Sequence, residues 1–283
     1  MSETLPRPDA HYTVCFVYDS LFDVPATHLL WQNVESSPPC LGNPSAFKTR
    51  TGLGLIHWNI RSICQQQKMD HLNILISQAD PDIMVITETW LKKGINDSEV
   101  SIENYNLFRI YRAGRGGGIV IFVKNIFSAT VLKAISIPKC FEFIALDIDC
   151  GHNNSFQVVG VYRPPSADPC SINKLENLLS QLSHREVIIL GDLNLDWLSD
   201  ASDDLKTVCC NLNLTQIVTE PTRPNQKDLN KSTLIDLILT NRNDKITASE
   251  VFDLGISDHC PIACVRDTHI RRTKIKNCLK KKI

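Results

Sequence analysis

Short apolar runs rich in β-branched residues, each ending close to a polar residue, constrain the fold of this chain more than any other feature. Three of them occupy residues 53–57 before Asn59, 83–86 before Glu88, and 187–190 before Asp192. Runs of this length that end in turn residues are typical of strands in a buried sheet. A fourth run, 260–265, begins directly after Asp258 and His259. The sequence therefore predicts strands whose ends carry polar side chains.

Apolar periodicity elsewhere predicts further elements. The predicted helices span residues 66–79, 171–183 and 203–212. The other predicted strands span residues 105–111, 118–123, 131–137, 140–148, 156–162, 234–240 and 246–252. Two β-rich halves with helices between strands predict an α/β or α+β domain with two packed sheets.

The chain divides into three segments by composition. Residues 1–50 lack the periodicity of a packed element, so we expect a poorly ordered leader before a domain at 51–265. Residues 266–283 hold eight Lys or Arg and one Asp, a net charge of +7, whereas the rest of the chain holds 22 basic and 30 acidic residues. A basic tail of this kind can anchor a nucleic acid or act as a nuclear address, and it can equally be a solvated linker.

The sequence shows neither a membrane span nor a secretory leader. No apolar run approaches the roughly 20 residues that cross a bilayer, and residues 1–25 carry acids and a proline where a signal peptide needs a basic start and an apolar core. The eleven cysteines include no Cys-x-x-Cys pair, so we expect reduced thiols and no zinc motif. These features predict an intracellular, nuclear protein that does not bind membranes.

The polar strand ends are expected to meet at one rim where the sheets open to solvent. The side chains expected there are Glu88, Asp192, Asp258, His259, Asn59 and Asn194. Carboxylates crowded together repel one another unless a hard cation or a phosphate-contacting donor balances them. The pattern therefore favours metal-assisted hydrolysis of a phosphodiester.

Seven short motifs, in order, resemble those of the endonuclease/exonuclease/phosphatase superfamily, which has the DNase I-like fold. They are Trp58-Asn59-Ile60-Arg61-Ser62, Ile86-Thr87-Glu88-Thr89-Trp90-Leu91, Arg115-Gly116-Gly117-Gly118, Tyr162-Arg163-Pro164-Pro165, Gly191-Asp192-Leu193-Asn194, Ile235-Asp236 and Ser257-Asp258-His259-Cys260-Pro261. Across residues 52–265 the closer resemblance is to the apurinic-type endonuclease domain of LINE-class (non-LTR) retrotransposons. It implies a four-layer αββα sandwich, in which two mainly antiparallel sheets pack face to face with helices outside.

The resemblance also implies a role for each site residue. Glu88 would bind Mg²⁺, or Mn²⁺, because a hard cation prefers one or two carboxylates plus water and phosphate oxygens. Asn59 and Asp258 would be further metal ligands, and Asp258 is also a candidate for contacting the water. Asp192 would orient or deprotonate the attacking water, while Asn194 and Asn59 would hold water and phosphate oxygens.

His259 is expected to contact the scissile phosphate, whereas His57, His71 and His184 are interpreted as surface or core histidines. Asp236 would orient His259 and stabilise its charged imidazolium.

Hydroxyl groups and a polar loop complete the predicted site. Tyr162 would donate to a phosphate oxygen, although it can also be a packing residue before the two prolines, and Thr222 and Ser257 would support the site. The residues of the polar loop expected to approach DNA are Arg223, Lys227 and Lys231. Long ordered loops beside a site are usually functional, yet this one can also be a solvated connector.

Arg61 marks a departure from the repair-type relatives, which carry an acid two residues after the asparagine. This departure disfavours a two-metal scheme and abasic-site repair, and it fits the LINE-type branch. The implied function is a monomeric, Mg²⁺-dependent DNA endonuclease that nicks one strand, with a reverse transcriptase encoded by the parent element as a partner. The alternatives are a same-fold phosphatase or RNase acting on another phosphoester, and a catalytically silent nucleic-acid binder.

Overall fold

A computed structural model describes residues 42–112, 116–151, 154–182, 184–225, 227–228 and 231–267. The strands in this part of the chain are β1 Leu53–Asn59, β2 Ile83–Thr87, β3 Tyr105–Ile110, β4 Ile119–Lys124, β5 Ser128–Ile137, β6 Phe141–Asp149, β7 Ser155–Tyr162, β8 Val187–Asp192, β9 Thr215–Gln216, β10 Asp236–Thr240, β11 Ile246–Val251 and β12 Ile262–Arg266. The α-helices there are α1 Pro44–Phe47, α2 Gln66–Ala79, α3 Ser171–Ser180 and α4 Asp203–Asn211. None of these helices is both long and apolar enough to cross a membrane.

The strands form two six-stranded sheets of closely similar plan. One has the order β11-β12-β1-β2-β4-β3 and the other β5-β6-β7-β8-β10-β9. Neighbouring strands are antiparallel except for one parallel pair at the centre of each sheet, β1 with β2 and β7 with β8. The predicted pair of mainly antiparallel sheets is therefore confirmed.

The two sheets pack face to face with helices on their outer faces. They approach closely at Gly160, where an added Cβ would lie 3.0 Å from side chains of Val85 and Ile119. On the outer face of the first sheet, Ile56 packs in a cluster with Leu72 of α2, while leucines of α3 and α4 pack against the second sheet. Because side chains alternate between the faces of a strand, each sheet buries one face against the other sheet and one against helices. This is the predicted αββα sandwich.

The folded body extends beyond both predicted segment boundaries. α1 lies within the expected leader, and its Phe47 is buried edge-on against Phe252, with ring centroids 5.7 Å apart. Arg266, which was assigned to the basic tail, ends β12, is only 1% exposed and pairs with Glu186. Periodicity missed both residues because each makes its packing contacts over long sequence separations. Residues 1–41 and 268–283 lie outside the described residues.

Strand register brings the polar strand ends together. Asn59 is opposite Thr87 in the parallel pair of the first sheet, so Glu88 follows directly beside it. In the second sheet Asp192 is opposite both Tyr162 and Asp236. One end of each sheet's central strands therefore carries the motifs.

Candidate active site

Asn59 joins the two sheets at the centre of this site. Its amide nitrogen Nδ2 donates to Oδ2 of Asp192 at 2.8 Å and to Oε1 of Glu88 at 3.1 Å. Both amide hydrogens are then in use, and Asn59 is completely buried. The amide oxygen Oδ1 accepts only a long bond of 3.3 Å from the backbone N–H of Arg61 among the described contacts. Asn59 thus fixes the separation of two carboxylates that come from different sheets.

Glu88 is the partly exposed carboxylate of the site. Its backbone has a positive φ of 50°, which turns the chain out of β2 at this point. Besides the bond from Asn59, Oε1 accepts from the hydroxyl of Tyr162 at 3.1 Å and Oε2 from the indole of Trp90 at 3.3 Å. Burial and the charge of Glu88 raise the pKa of Tyr162, which keeps its hydroxyl protonated as a donor. Glu88 is therefore held in place while its outer side remains open to solvent.

Asp192 is completely buried and tightly held by its own turn. Oδ1 accepts from the backbone N–H of Asn194 at 2.9 Å, and Oδ2 accepts from the Asn194 side chain at 3.0 Å. Asn194 has a left-handed φ of 48°, a conformation that asparagine tolerates well. Burial and the neighbouring charge of Asp236 raise the pKa of Asp192 to about 8. A carboxylate with this pKa is suited to exchange a proton near neutral pH.

His259 and Asp236 form a buried, hydrogen-bonded pair. Nδ1 of His259 lies 2.8 Å from Oδ2 of Asp236. Burial lowers the pKa of His259, but the charges of Asp236, Asp192 and Asp258 and the bond to Asp236 outweigh it and raise this pKa to about 9. Burial acts in the opposite sense on Asp236, whose pKa falls below its ordinary value because His259 and His57 stabilise the carboxylate. The imidazolium is the favoured form of His259 at neutral pH.

His57 is a site residue that sequence reasoning missed. Its Nε2 lies 3.1 Å from the second oxygen of Asp236, and its Nδ1 lies 3.0 Å from the carbonyl oxygen of Val85. Neither His57 nor Asp236 is exposed. His57 sits within an apolar strand run, so nothing local distinguished it from a packed core histidine. Only the approach of β10 from the other sheet reveals its partner.

The two predicted supporting hydroxyls do contact the site. Oγ1 of Thr222 donates to Oδ2 of Asp236 at 2.8 Å and accepts the Asp236 backbone N–H at 3.1 Å. Ser257 accepts from the backbone N–H of His259 at 3.4 Å and bonds the carbonyl of Asn59 at 3.5 Å. The indole of Trp58 also donates to the carbonyl of His259, at 3.1 Å. These contacts hold the His259 segment against β1.

Asp258 lies in a different environment from the one predicted. Its Oδ2 accepts from Arg61 at 3.0 Å and from Arg223 at 3.1 Å. Burial would raise the pKa of Asp258, but His259 and the two guanidinium groups lower it. Two guanidinium groups share one carboxylate oxygen of Asp258, and the role of Asp258 as a metal ligand stays a prediction. Arg61 and Arg223 instead form an exposed cationic edge beside His259.

The lysines of the polar loop are solvent-exposed. Lys231 is 74% exposed and pairs only loosely with Asp228, at 3.3 Å. Lys227 is exposed as well, whereas Arg223 is tied to Asp258 and pairs with Thr233 in a β-bridge. Arg223 is thus the loop residue that the structure places at the site.

The predicted rim is more buried than expected. Asn59, Asp192 and Asp236 are 0% exposed and His259 is 5% exposed. Strand ends usually open to solvent, but here Asn194, after β8, bonds Asp192, and Thr222, before β10, bonds Asp236. Glu88, Arg61, Asp258 and Arg223 form the accessible side.

The site residues lie inside a region that matches a known family model. The match is to the Endonuclease/Exonuclease/phosphatase family and spans residues 56–259. The chain belongs to this family. Its members are phosphoester hydrolases, which agrees with the chemistry that the acidic strand ends predict. No curated protein sequence is similar enough to this chain to count as a match.

Several solved structures share the fold. The 3′ phosphatase NExo from Neisseria, bound to product DNA hairpin, has a TM-score of 0.61 at 15% identity and covers 76% of this chain and 100% of its own. The endonuclease domain of TRAS1, a telomere-specific non-LTR retrotransposon, has a TM-score of 0.57 at 15% identity. The match covers 76% of this chain and 98% of the TRAS1 chain. The AP endonuclease LMAP from Leishmania major has a TM-score of 0.61 at 12% identity. The match covers 77% of this chain and 89% of the LMAP chain. At these identities the likeness establishes the fold.

Two places in the site are candidates for holding a cation: the cluster of Asp192, Asp236 and His259, and the carboxylate of Glu88. Atoms of Asp192, Asp236 and His259 lie within 4.8 Å of one another, but both oxygens of Asp236 already accept bonds from histidines. That cluster is better suited to positioning a proton than to binding a metal. Glu88 fits a hard cation better, because it is one partly exposed carboxylate with room for water and phosphate oxygens, and Oδ1 of Asn59 lies in the same cluster of residues.

Arg112 and Glu142 extend the site beyond the motifs. Arg112 pairs with Glu142, which is buried and also accepts from the backbone N–H of Gly118 at 2.8 Å. Burial raises the pKa of Glu142 despite these donors. The guanidinium of Arg112 lies 5.6 Å from the centroid of the Tyr162 ring. Sequence reasoning missed this pair because its members are 30 residues apart and neither belongs to a motif.

Proposed function

We propose that this chain is a divalent-metal-dependent DNA endonuclease that nicks one strand of duplex DNA, of the LINE-class retrotransposon type. The observation that carries this proposal is the pair of bonds from one amide, that of Asn59, to Glu88 and Asp192. It places a partly exposed carboxylate, suited to a cation, beside a buried carboxylate whose pKa of about 8 suits proton transfer. The charged imidazole of His259 completes the set.

Each residue of the site has a separate role in the proposed hydrolysis. Asp192, held by Asn59 and Asn194, orients a water and accepts its proton as the water oxygen attacks phosphorus. The bond to the leaving sugar oxygen breaks, and that oxygen takes a proton from solvent water to become a hydroxyl. His259, charged and fixed by Asp236, stabilises the negative phosphate oxygens. Glu88 and Oδ1 of Asn59 would hold the divalent cation, whose chemistry is charge stabilisation on the phosphate oxygens.

DNA is the substrate that the surroundings of the site favour. Arg61 and Arg223 lie at the accessible edge next to His259, where guanidinium groups suit backbone phosphates. Among proteins of this fold, one is a retrotransposon endonuclease and another is bound to a DNA hairpin. A nick that leaves a 3′-hydroxyl could prime the reverse transcriptase encoded by a parent element, which is the partner we propose.

A substrate panel tests the proposal. Purified full-length protein with Mg²⁺ should convert supercoiled plasmid to the nicked circle, and chelation should stop the conversion. Mn²⁺ should also restore activity. Equal protein should leave single-stranded RNA and a phosphorylated sugar largely uncleaved. A phosphatase of this fold exists, the mannosyl-6-phosphatase Bt3783 from Bacteroides thetaiotaomicron, so preferential release of phosphate from a sugar would replace DNA as the substrate.

A further inference from the structure

We propose that Cys140, Asp168 and Cys170 form a second metal site, for a soft divalent cation such as Zn²⁺, separate from the site described above. The three residues lie where the start of β6 meets the loop between β7 and α3. One ligand atom from each, the two sulfurs and a carboxylate oxygen, lies within 4.8 Å of the other two. Cys140 is buried, whereas Asp168 and Cys170 are exposed.

The donor set selects the kind of metal. Two thiolates and one carboxylate suit zinc, which binds sulfur at about 2.3 Å and carboxylate oxygen at about 2.0–2.2 Å in a tetrahedral arrangement. Ligand atoms in such a site are about 3.8 Å apart, so the present spacing needs only small rotations. The exposed side chains of Asp168 and Cys170 can make them. Three protein ligands leave the fourth position to water.

Lys174 lies directly beside the proposed site. Its ammonium donates to Sγ of Cys140 at 3.4 Å. Zinc with two thiolates and one carboxylate has a net charge of −1, and the Lys174 ammonium would neutralise it from outside the ligand sphere.

The backbone already brings the three ligands together. The N–H of Asp168 donates to the carbonyl of Lys139 at 2.7 Å, which fixes the loop next to Cys140. Cys170 occupies the N-cap of α3, and its thiol makes no capping bond. A bound metal would tie the segment that follows Tyr162 to the start of β6. Short sequence spacing could not reveal this site, because Cys140 is distant from the other two ligands along the chain.

Cobalt substitution tests this site separately from any catalytic metal. Reduced full-length protein is titrated with Co²⁺, whose absorption in the near ultraviolet gains a charge-transfer band only when thiolate is bound. The oxygen ligands around Glu88 cannot produce that band. Native mass spectrometry with Zn²⁺ gives the stoichiometry. Cys170→Ser and Asp168→Asn are the test variants because both residues are exposed, and Cys64→Ser and Cys210→Ser are controls at exposed cysteines elsewhere.

The proposal expects one equivalent of thiolate-bound cobalt in the wild type. That band should disappear in Cys170→Ser and require at least tenfold more Co²⁺ in Asp168→Asn, while both controls retain it. Zn²⁺ should raise the melting temperature of the wild type and not that of Cys170→Ser. A band that persists in Cys170→Ser, or no band at all in the reduced wild type, would overturn the proposal. So would a Cys140–Cys170 disulfide in the purified protein combined with no metal uptake after reduction.

Discussion

The carboxylate of Asp236 lies 3.1 Å from Nε2 of His57, and neither residue is exposed to solvent. Nδ1 of His57 lies 3.0 Å from the carbonyl oxygen of Val85. The other oxygen of Asp236 bonds Nδ1 of His259 at 2.8 Å. The two oxygens of Asp236 therefore contact two imidazoles, those of His57 and His259.

Replacing His57 should weaken both stability and activity. His57→Phe leaves an oxygen of Asp236 without its donor, and an unsatisfied buried acceptor costs about 1–3 kcal/mol of the free energy of unfolding. His57→Gln can still donate to Asp236 and should recover part of that loss and part of the nicking rate. Urea unfolding and plasmid nicking measure both effects, with His71→Gln as the control. If the Phe and Gln variants match the wild type in both assays, His57 plays no part in positioning Asp236.

The pairing of His259 with Asp236 should make stability depend on pH. Because folding raises the pKa of His259 from 6.5 to about 9, its contribution is complete below pH 6.5 and is lost as the pH rises through 9. The free energy of unfolding of His259→Gln should therefore fall short of the wild type by about 1–3 kcal/mol at pH 6 and by much less at pH 10. Urea titrations at both pH values check this. A deficit that is the same at both would show that the imidazolium is not what stabilises the fold.

Glu88 should control the metal requirement. Glu88→Gln keeps the size of the side chain and acceptor oxygen but removes the charge, so nicking should need at least about tenfold more Mg²⁺. The measurement is the Mg²⁺ concentration that gives half-maximal nicking, with Glu99→Gln, on an exposed surface, as the control. An unchanged requirement in Glu88→Gln would place the cation elsewhere.

The lysines of the polar loop should affect DNA binding without affecting the chemical step. Each phosphate-neutralising cation adds about 0.9 to the slope of log affinity against log salt concentration. Lys227→Ala with Lys231→Ala should flatten that slope by about 1.8 and lower nicking of duplex DNA, while hydrolysis of a small phosphodiester stays unchanged. Lys48→Ala with Lys133→Ala is the matched control. The loop is only a connector if both double variants bind DNA alike.

Much of this fold and site followed from local sequence. Apolar runs located the central strands, and the polar residues at their ends, Asn59, Glu88 and Asp192, do meet. β1 and β2 end side by side in one sheet, and the end of β8 in the other sheet lies against them. The burial of these side chains could not be predicted from local sequence, because it depends on how distant segments pack over them. Because Asp192 is buried, Asp192→Ala would leave a cavity, so Asp192→Asn is the better test of its role.

Contacts between distant segments were beyond local reasoning. His57 resembles a core residue until β10 is placed beside it, and local sequence does not reveal the ion pairs of Asp258 with Arg61 and Arg223. Each of these depends on side chains from segments more than 30 residues apart. Register and loop paths decide such pairs, and a single sequence does not specify them.

Nicking of supercoiled plasmid by Asp192→Asn tests the central claim most directly. Asparagine preserves the size and shape of the carboxyl group, so the variant should fold with a melting temperature within a few degrees of the wild type. It cannot accept a proton, so conversion to nicked circle in Mg²⁺ should fall by about 10²–10⁴-fold. A folded Asp192→Asn variant that nicks at the wild-type rate would contradict the assignment of this site as the active centre.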